Sequence, residues 1–365
     1  MTISKIAINT GGGDAPGLNA VIRAATLAAV RKGWEVVGIR DGYNGLLTPD
    51  RYPDGGLIPL TPDRVRGITH LGGTILGTTN RGSPLSYPMV DEDGNLVEVD
   101  RTDELLDTFA QRNIDALIAI GGDGSMAIAN VLCESGLRVI GVPKTIDNDL
   151  AGTVVTFGFN TAASFATQAI DRLHTTAEAH QRIMVVEVMG RYAGWIALYA
   201  GVAGTADVIL IPEIPYNINE VADKCRARRN QRGFTIVVVA EGARPVGGEM
   251  SVVEREVGRA ERLGGIGEKV AAALEALTGQ DTRTVVLGHL QRGGTPTTRD
   301  RLLALRFGAA AVRALADGQD GIMVALDPPE VNYVPLEVAT ARMKQVPLDS
   351  DILLTARDLG ISFGD

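Results

Sequence analysis

Short runs rich in Val and Ile break repeatedly into glycine, and a stretch of helical period then follows. KIAINT runs into GGGDAPG, IDALIAI into GGDGS, and TVVLG into HLQRGG. Apolar runs without alternation suit parallel strands covered on both faces, and glycine lets a chain leave such a strand close to a ligand or a neighbouring backbone. Glycine supplies 44 of 365 residues, roughly 12% against a usual 7% or so, and it concentrates at these breaks.

Strand, glycine loop and helix in alternation predict an α/β chain built of doubly wound, Rossmann-like three-layer domains. The expected strands are Ile3 to Asn9, Trp34 to Arg40, Ile114 to Ile120, Arg138 to Val142, Arg182 to Val188, Val208 to Pro212, Phe234 to Ala240 and Thr284 to Leu287. The expected helices are Leu18 to Lys32, Thr161 to Ala179, Ile218 to Arg229, Val253 to Leu277 and Asp300 to Ala316. The Gly/Pro-containing stretches Thr48 to Pro62 and Asn80 to Asn95 read as surface excursions. At about 150 residues per domain the length predicts two domains with a cleft between them.

Lys and Arg number 35 against 44 Asp and Glu, a net charge of −9. That balance, with no dense basic cluster, argues against a nucleic-acid or anionic-membrane partner, so an anionic substrate needs a local cationic site. Cys133 and Cys225 lie far apart and form no metal-ligand spacing. With no apolar leader and no run of about 18 apolar residues, a cytoplasmic location is the expectation.

Several loops carry more chemistry than a turn requires. Gly11-Gly12-Gly13-Asp14-Ala15-Pro16-Gly17 follows a strand and opens a helix, which suits a phosphate or a tight turn alone. Gly121-Gly122-Asp123-Gly124-Ser125 repeats the arrangement with one acid, which either holds Mg²⁺ beside nucleotide phosphates or caps the helix. Pro143-Lys144-Thr145-Ile146-Asp147-Asn148-Asp149 puts two acids and a lysine at a strand's carboxyl end. Phosphoryl transfer to an alcohol needs such a set: a carboxylate to accept the hydroxyl proton and a cation against the phosphates. Met189-Gly190-Arg191 and His289-Leu290-Gln291-Arg292 add arginines whose forks match phosphate oxygens.

Taken together and in order, GGGDAPGLNA, GGDGS, PKTIDNDL, GFNTA, HQRIMVVEVMGRYAGWIAL and TVVLGHLQRGG resemble the 6-phosphofructokinase family. The resemblance implies two α/β domains that exchange chain segments, 1–157 plus about 290–340 for the phosphoryl donor and 158–289 plus about 341–365 for the sugar phosphate. It also implies a shared-site homo-oligomer, a tetramer before a dimer, and Mg²⁺-dependent transfer from ATP to the 1-hydroxyl of fructose 6-phosphate in glycolysis. By the same resemblance Gly13, Arg81, Gly122, Asp123, Gly124 and Ser125 contact the donor, with Asp123 serving the metal. Asp147 is the general base, with Lys144, Thr145, Asp149 and Arg191 also at the reacting centre. Thr145, Ile146, Met189, Gly190, Arg191, Glu241, His289, Leu290, Gln291 and Arg292 face the sugar and its 6-phosphate, and Arg182 and Arg283 reach it from a neighbouring subunit.

The family divides between ATP and pyrophosphate enzymes at the positions held here by Gly124 and Lys144, where ATP enzymes carry Gly at both and pyrophosphate enzymes Asp and Lys. An Asp at 124 would set a carboxylate against the α-phosphate of a nucleotide, so Gly124 favours ATP. Lys144 can serve ATP, pyrophosphate or ADP by neutralising the transferred group. A sugar-phosphate sensor without catalysis is the alternative of another class. The presence of Asp123, Asp147 and Asp149 counts against it.

Overall fold

The computed structural model describes residues 3–231, 233–254 and 262–365. They divide into two compact units, unit 1 comprising Met1–Thr145, Leu150–Gly158 and Arg292–Met343, and unit 2 comprising Ile146–Asp149, Phe159–Gln291 and Lys344–Asp365.

The first stretch of unit 1 runs β1 (Lys5–Thr10), α1 (Leu18–Arg31), β2 (Glu35–Ile39), α2 (Asn44–Leu47), β3 (Leu57–Pro59), β4 (Tyr87–Val90), β5 (Leu96–Val99), α3 (Thr102–Gln111), β6 (Ala116–Gly121), α4 (Asp123–Glu134), β7 (Arg138–Thr145) and β8 (Phe157–Gly158). Strands β2, β1, β6 and β7 lie side by side and parallel, with Ile8 opposite Ile118 and Gly121 opposite Pro143. Every residue of β6 is buried, as expected of a strand with helices on both faces. On one face Leu105 and Phe109 of α3 and Met126, Ala129 and Leu132 of α4 pack against Leu117, Ala119 and Val139.

Unit 2 runs α5 (Phe159–His180), β9 (Ile183–Val188), α6 (Trp195–Ala203), β10 (Val208–Leu210), α7 (Ile218–Arg229), β11 (Thr235–Ala240), β12 (Val252–Glu254), β13 (Arg262–Leu263), α8 (Ile266–Thr278) and β14 (Thr282–Val286). Its main sheet has the order β10-β11-β9-β14, all parallel. Helices α7 and α8 cover one face through Val221, Ala222, Cys225, Val270 and Leu274, while α5 and α6 pack on the strands from the other side.

The chain then returns to unit 1 with α9 (Thr298–Ala316), β15 (Ile322–Asp327), β16 (Glu330–Pro335) and α10 (Leu336–Ala341), and closes in unit 2 with α11 (Asp351–Asp358). Strand β15 adds to β7 in parallel and β16 turns back antiparallel on β15. Helix α9 lies along α1, burying Leu303, Ala304, Phe307 and Ala311 where α1 buries Leu18, Val21, Ile22 and Ala25.

One expectation needs correction. The span Val253 to Leu277 is not one helix. Val252–Glu254 and Arg262–Leu263 pair as strands, and α8 begins only after Gly264 (φ 150°) and Gly265 (φ 74°), conformations a helix interior does not contain. The middle of that span, residues 255–261, lies outside the described residues. The excursion Asn80 to Asn95 contains β4, which pairs with β5 as a hairpin, Tyr87–Val90 against Leu96–Val99. Among the described residues no helix is long and apolar enough to cross a membrane. Cys133 and Cys225 are both free thiols, one in each unit.

Candidate active site

In unit 1 the glycine loops follow β1 and β6, and Lys144 is the penultimate residue of the neighbouring parallel strand β7, all at the carboxyl edge of the sheet. Open parallel sheets present free backbone N–H groups and helix starts at that edge. Gly11 N donates to Ile120 O (2.9 Å) and Gly12 N to Thr79 O (3.1 Å), while Thr78 Oγ1 donates to Gly12 O (2.6 Å). The loop is therefore held from both sides, by β6 and by the segment that leads to Arg81. Arg81 N donates to Thr79 Oγ1 (3.0 Å), and the arginine itself is exposed.

Two cations converge on this loop. Lys144, buried at 3% exposure, donates from Nζ to the carbonyl of Gly13. Arg292 Nη1 donates to Asp14 O (3.2 Å), and a Cβ at Gly13 would stand 2.7 Å from that nitrogen. Glycine at 13 thus admits the guanidinium to the loop. Arg292 belongs to unit 1, whereas His289, Leu290 and Gln291, its neighbours in the same motif, belong to unit 2.

Helix α4 opens on Gly122 as N-cap with no side-chain cap, so Asp123 is its first residue and not its capping group. Ser125 fills the space beside two strand ends, since a Cβ at Gly121 would meet it at 2.1 Å and one at Gly11 at 2.6 Å. Gly124 is different: nothing lies within 4 Å of where its Cβ would stand. Packing does not demand glycine there. Its smallness leaves room at a helix start whose free N–H groups favour an anion.

In unit 2 a second set of residues follows the carboxyl ends of three neighbouring strands, β11, β9 and β14. Glu241 N donates to Val188 O (2.9 Å) and Gly242 N to Gly190 O (3.1 Å), so Glu241 lies beside Met189, Gly190 and Arg191. Gly190 adopts φ 138°, and a Cβ at Gly242 would stand 1.8 Å from the carbonyl oxygen of Arg191. We expect Gly242→Ala to displace that turn, lowering stability by about 1–3 kcal/mol in denaturant melts. An unchanged melt would show that the turn gives way freely.

Leu287 N donates to Glu187 O (3.0 Å) and sets the short helical turn Gly288–Arg292 at the same edge, with His289 and Leu290 exposed and Gln291 buried. The segment Ile146–Asp149 also belongs to unit 2. Ile146 is fully buried, Asn148 sits in a left-handed conformation (φ 53°), and half-buried Asp147 and Asp149 flank it. Few residues other than glycine tolerate that conformation, and Asn is among those that do.

Arg182 and Arg283 do not join this group. Arg182 precedes β9 and Arg283 is the second residue of β14, at the amino edge of the sheet, where both pair with the carboxylate of Asp281. Four contributors give little sequence signal: Thr78 and Thr79 at the glycine loop, Asp281 between the two arginines, and Gly242. Only Gly242 could have been suspected, from the EG pair that ends an apolar run.

No group of three or more His, Cys, Asp or Glu side chains that could hold a metal occurs among the described residues. A single carboxylate suffices where a nucleotide's phosphates supply the other ligands, which is the usual way Mg²⁺ is bound. Exposed Asp123 at the start of α4 fits that requirement.

The phosphofructokinase family model matches residues 5–315. The chain is 54% identical to the ATP-dependent 6-phosphofructokinase of Chloroflexus aggregans, over 99% of this chain and 98% of that relative. It is 49% identical to the pyrophosphate–fructose 6-phosphate 1-phosphotransferase of Amycolatopsis mediterranei, over 94% and 97%. Among solved structures, the phosphofructokinase of Pichia pastoris superposes with a TM-score of 0.79 at 32% identity, covering 93% of this chain and 36% of that longer one. With a family match that runs through stretches of both units, the chain belongs to the phosphofructokinase family.

Proposed function

We propose that this chain transfers the γ-phosphoryl group of ATP to the 1-hydroxyl of fructose 6-phosphate, giving fructose 1,6-bisphosphate and ADP. The observation that carries the reading is the stretch Lys144 to Asp149. It ends β7 with a lysine bonded to the glycine loop of unit 1 and continues, three residues later, with Asp147 in unit 2. A donor-side cation and an acceptor-side base are the two groups the reaction needs, and one short segment carries both.

Unit 1 is the donor half in this reading and unit 2 the acceptor half. Asp147 takes the proton of the 1-hydroxyl as its oxygen attacks the γ-phosphorus, and the bond to the bridging oxygen breaks to release ADP. Lys144 and the N–H groups of Gly13 and Gly122 to Ser125 face charge that builds on the transferred group, with Arg81 on the donor phosphates. Asp123, with the nucleotide phosphates, would hold Mg²⁺, which when bound neutralises charge on the donor. Thr145, Ile146 and Asp149 frame the reacting hydroxyl. Met189, Gly190, Arg191 and Glu241 line the sugar, and His289, Leu290, Gln291 and Arg292 extend toward the 6-phosphate. Arg182 and Arg283 serve a neighbouring subunit of a homo-oligomer, a reading supported by their position at the opposite sheet edge from Arg191 and Glu241.

The choice of ATP over pyrophosphate or ADP rests on Gly124. Gly124→Asp adds a second carboxylate beside Asp123 in space that is open. We expect it to lower kcat/KM for ATP by at least about tenfold through like-charge repulsion on the α-phosphate, while sparing any use of pyrophosphate. Parallel assays of both proteins with ATP, ADP and pyrophosphate test the reading. Turnover of the parent chain with pyrophosphate alone would overturn the donor assignment, and no turnover with any donor would leave a sugar-phosphate sensor.

A further inference from the structure

Lys344 opens the last segment of unit 2, and each of its polar groups is engaged there. Its Nζ donates to Asn148 Oδ1 (2.9 Å) and its backbone N to Asp149 O (2.7 Å), while its carbonyl accepts from Trp195 Nε1 (3.0 Å). The ammonium also stands 5.6 Å from the centre of the Trp195 ring. Two residues on, Val346 N donates to Glu213 Oε1 (2.8 Å), and the same carboxylate accepts from Gly194 N (3.0 and 3.1 Å) at the start of α6. The segment is tied at one end to the start of α6 and at the other to the turn that carries both acids.

An ammonium is a costly way to make such a tie. Burial pushes Lys344 down to about 8, with the charge of Asp149 opposing the shift. A neutral side chain would satisfy Asn148 without that cost, and a charged one is justified where a stronger bond fixes an awkward conformation. Asn148 has that conformation, since its left-handed φ of 53° sets how Asp147 and Asp149 leave the turn.

We propose that Lys344 is a positioning residue for phosphoryl transfer, holding the Asp147–Asn148–Asp149 turn in the geometry that aims the Asp147 carboxylate at the acceptor hydroxyl. The inference rests on the reading of Asp147 as the base. Neither the charged side chain nor its position some two hundred residues from the turn follows from that reading.

Steady-state kinetics of the full chain test it. Lys344→Met is expected to lower kcat by about 10- to 100-fold, the cost of a misaimed catalytic group, with KM for ATP changed by less than about threefold. Asn148→Gly removes the acceptor while tolerating the left-handed backbone, and should lose a similar factor; Lys344→Met added to it should cost no more than about twofold further. In an Asp147→Asn background Lys344→Met should likewise change the residual rate by less than about twofold, because there is no carboxylate left to aim. A purely architectural lysine would lower both rates equally, and that outcome overturns the proposal. So does a Lys344→Met protein with kcat within about twofold of the parent while Asp147→Asn is inactive. An Asp147→Asn protein with full activity overturns the base assignment, and this proposal with it. If Lys344→Met does not fold, Asn148→Gly decides alone, a kcat within about twofold of the parent counting against the tie.

Discussion

Asp147→Asn is expected to lower kcat with ATP and fructose 6-phosphate by about 10²- to 10⁴-fold, the range over which a positioned general base acts. The amide keeps the size of the side chain and its capacity to accept hydrogen bonds, and it leaves the left-handed turn at Asn148 to the same backbone. What it loses is the ability to take up a proton, the role proposed for Asp147 as the 1-oxygen attacks. KM for fructose 6-phosphate should therefore move far less than kcat, because the sugar contacts proposed for Arg191, Glu241 and His289 remain. A titration of kcat against substrate for both proteins separates the two quantities. A variant that keeps more than about a tenth of the parent kcat would assign the proton to another group.

Lys144→Met is the second large effect, expected to cost about 10²- to 10³-fold in kcat, the loss typical when a preorganised positive partner of a developing negative charge is removed. The lysine is buried and its ammonium sits on the carbonyl of Gly13, so methionine of similar length can occupy the space while supplying neither charge nor donor. The loss should appear with whichever donor the chain uses, since the group transferred is the same. Here the contrast with Gly124→Asp is informative: that change discriminates between donors, and Lys144→Met does not. Unaltered kcat would leave Lys144 as a tie between β7 and the glycine loop and nothing more.

Much of the scaffold is legible in the sequence because parallel strands buried on both faces are dominated by apolar residues. β1, β6, β9 and β11 are such strands, broken only by Lys5, Asn9 and Thr10 in β1, Glu187 in β9 and Thr235 in β11, and each ends where a loop with glycine begins. The same property exposes the candidate site, because charged residues directly after such strands stand at the edge where ligands collect. What escapes has physical reasons too. The β4–β5 hairpin is short and half exposed, with Val90 and Leu96 turned to solvent, so it lacks a buried stripe. The β15–β16 hairpin gains its place from β7, a pairing over more than 170 residues of sequence that no local pattern encodes. Gly264 and Gly265 interrupt a helical period that the neighbouring residues alone would carry onward. Lys344 and Asp281 act through partners that only folding brings to them, and so does Arg292, which shares a motif with His289 but a unit with Gly13.

The division of unit 1 over three stretches of sequence sets an order of events during synthesis. Helix α1 is complete early, yet the helix that packs along it, α9, is made only after roughly 270 further residues, 32 to 297, and about half of these, 159 to 291, belong to unit 2. At about 5–20 residues per second that is a wait of some tens of seconds, during which Leu18, Val21, Ile22 and Ala25 lack the cover of α9. The intervening residues meanwhile hold most of what unit 2 needs for its own sheet and helices. Unit 2 is thus the part of the nascent chain able to fold first, although unit 1 begins first, and a chaperone that shields apolar helix surface would find its target on α1 during that interval.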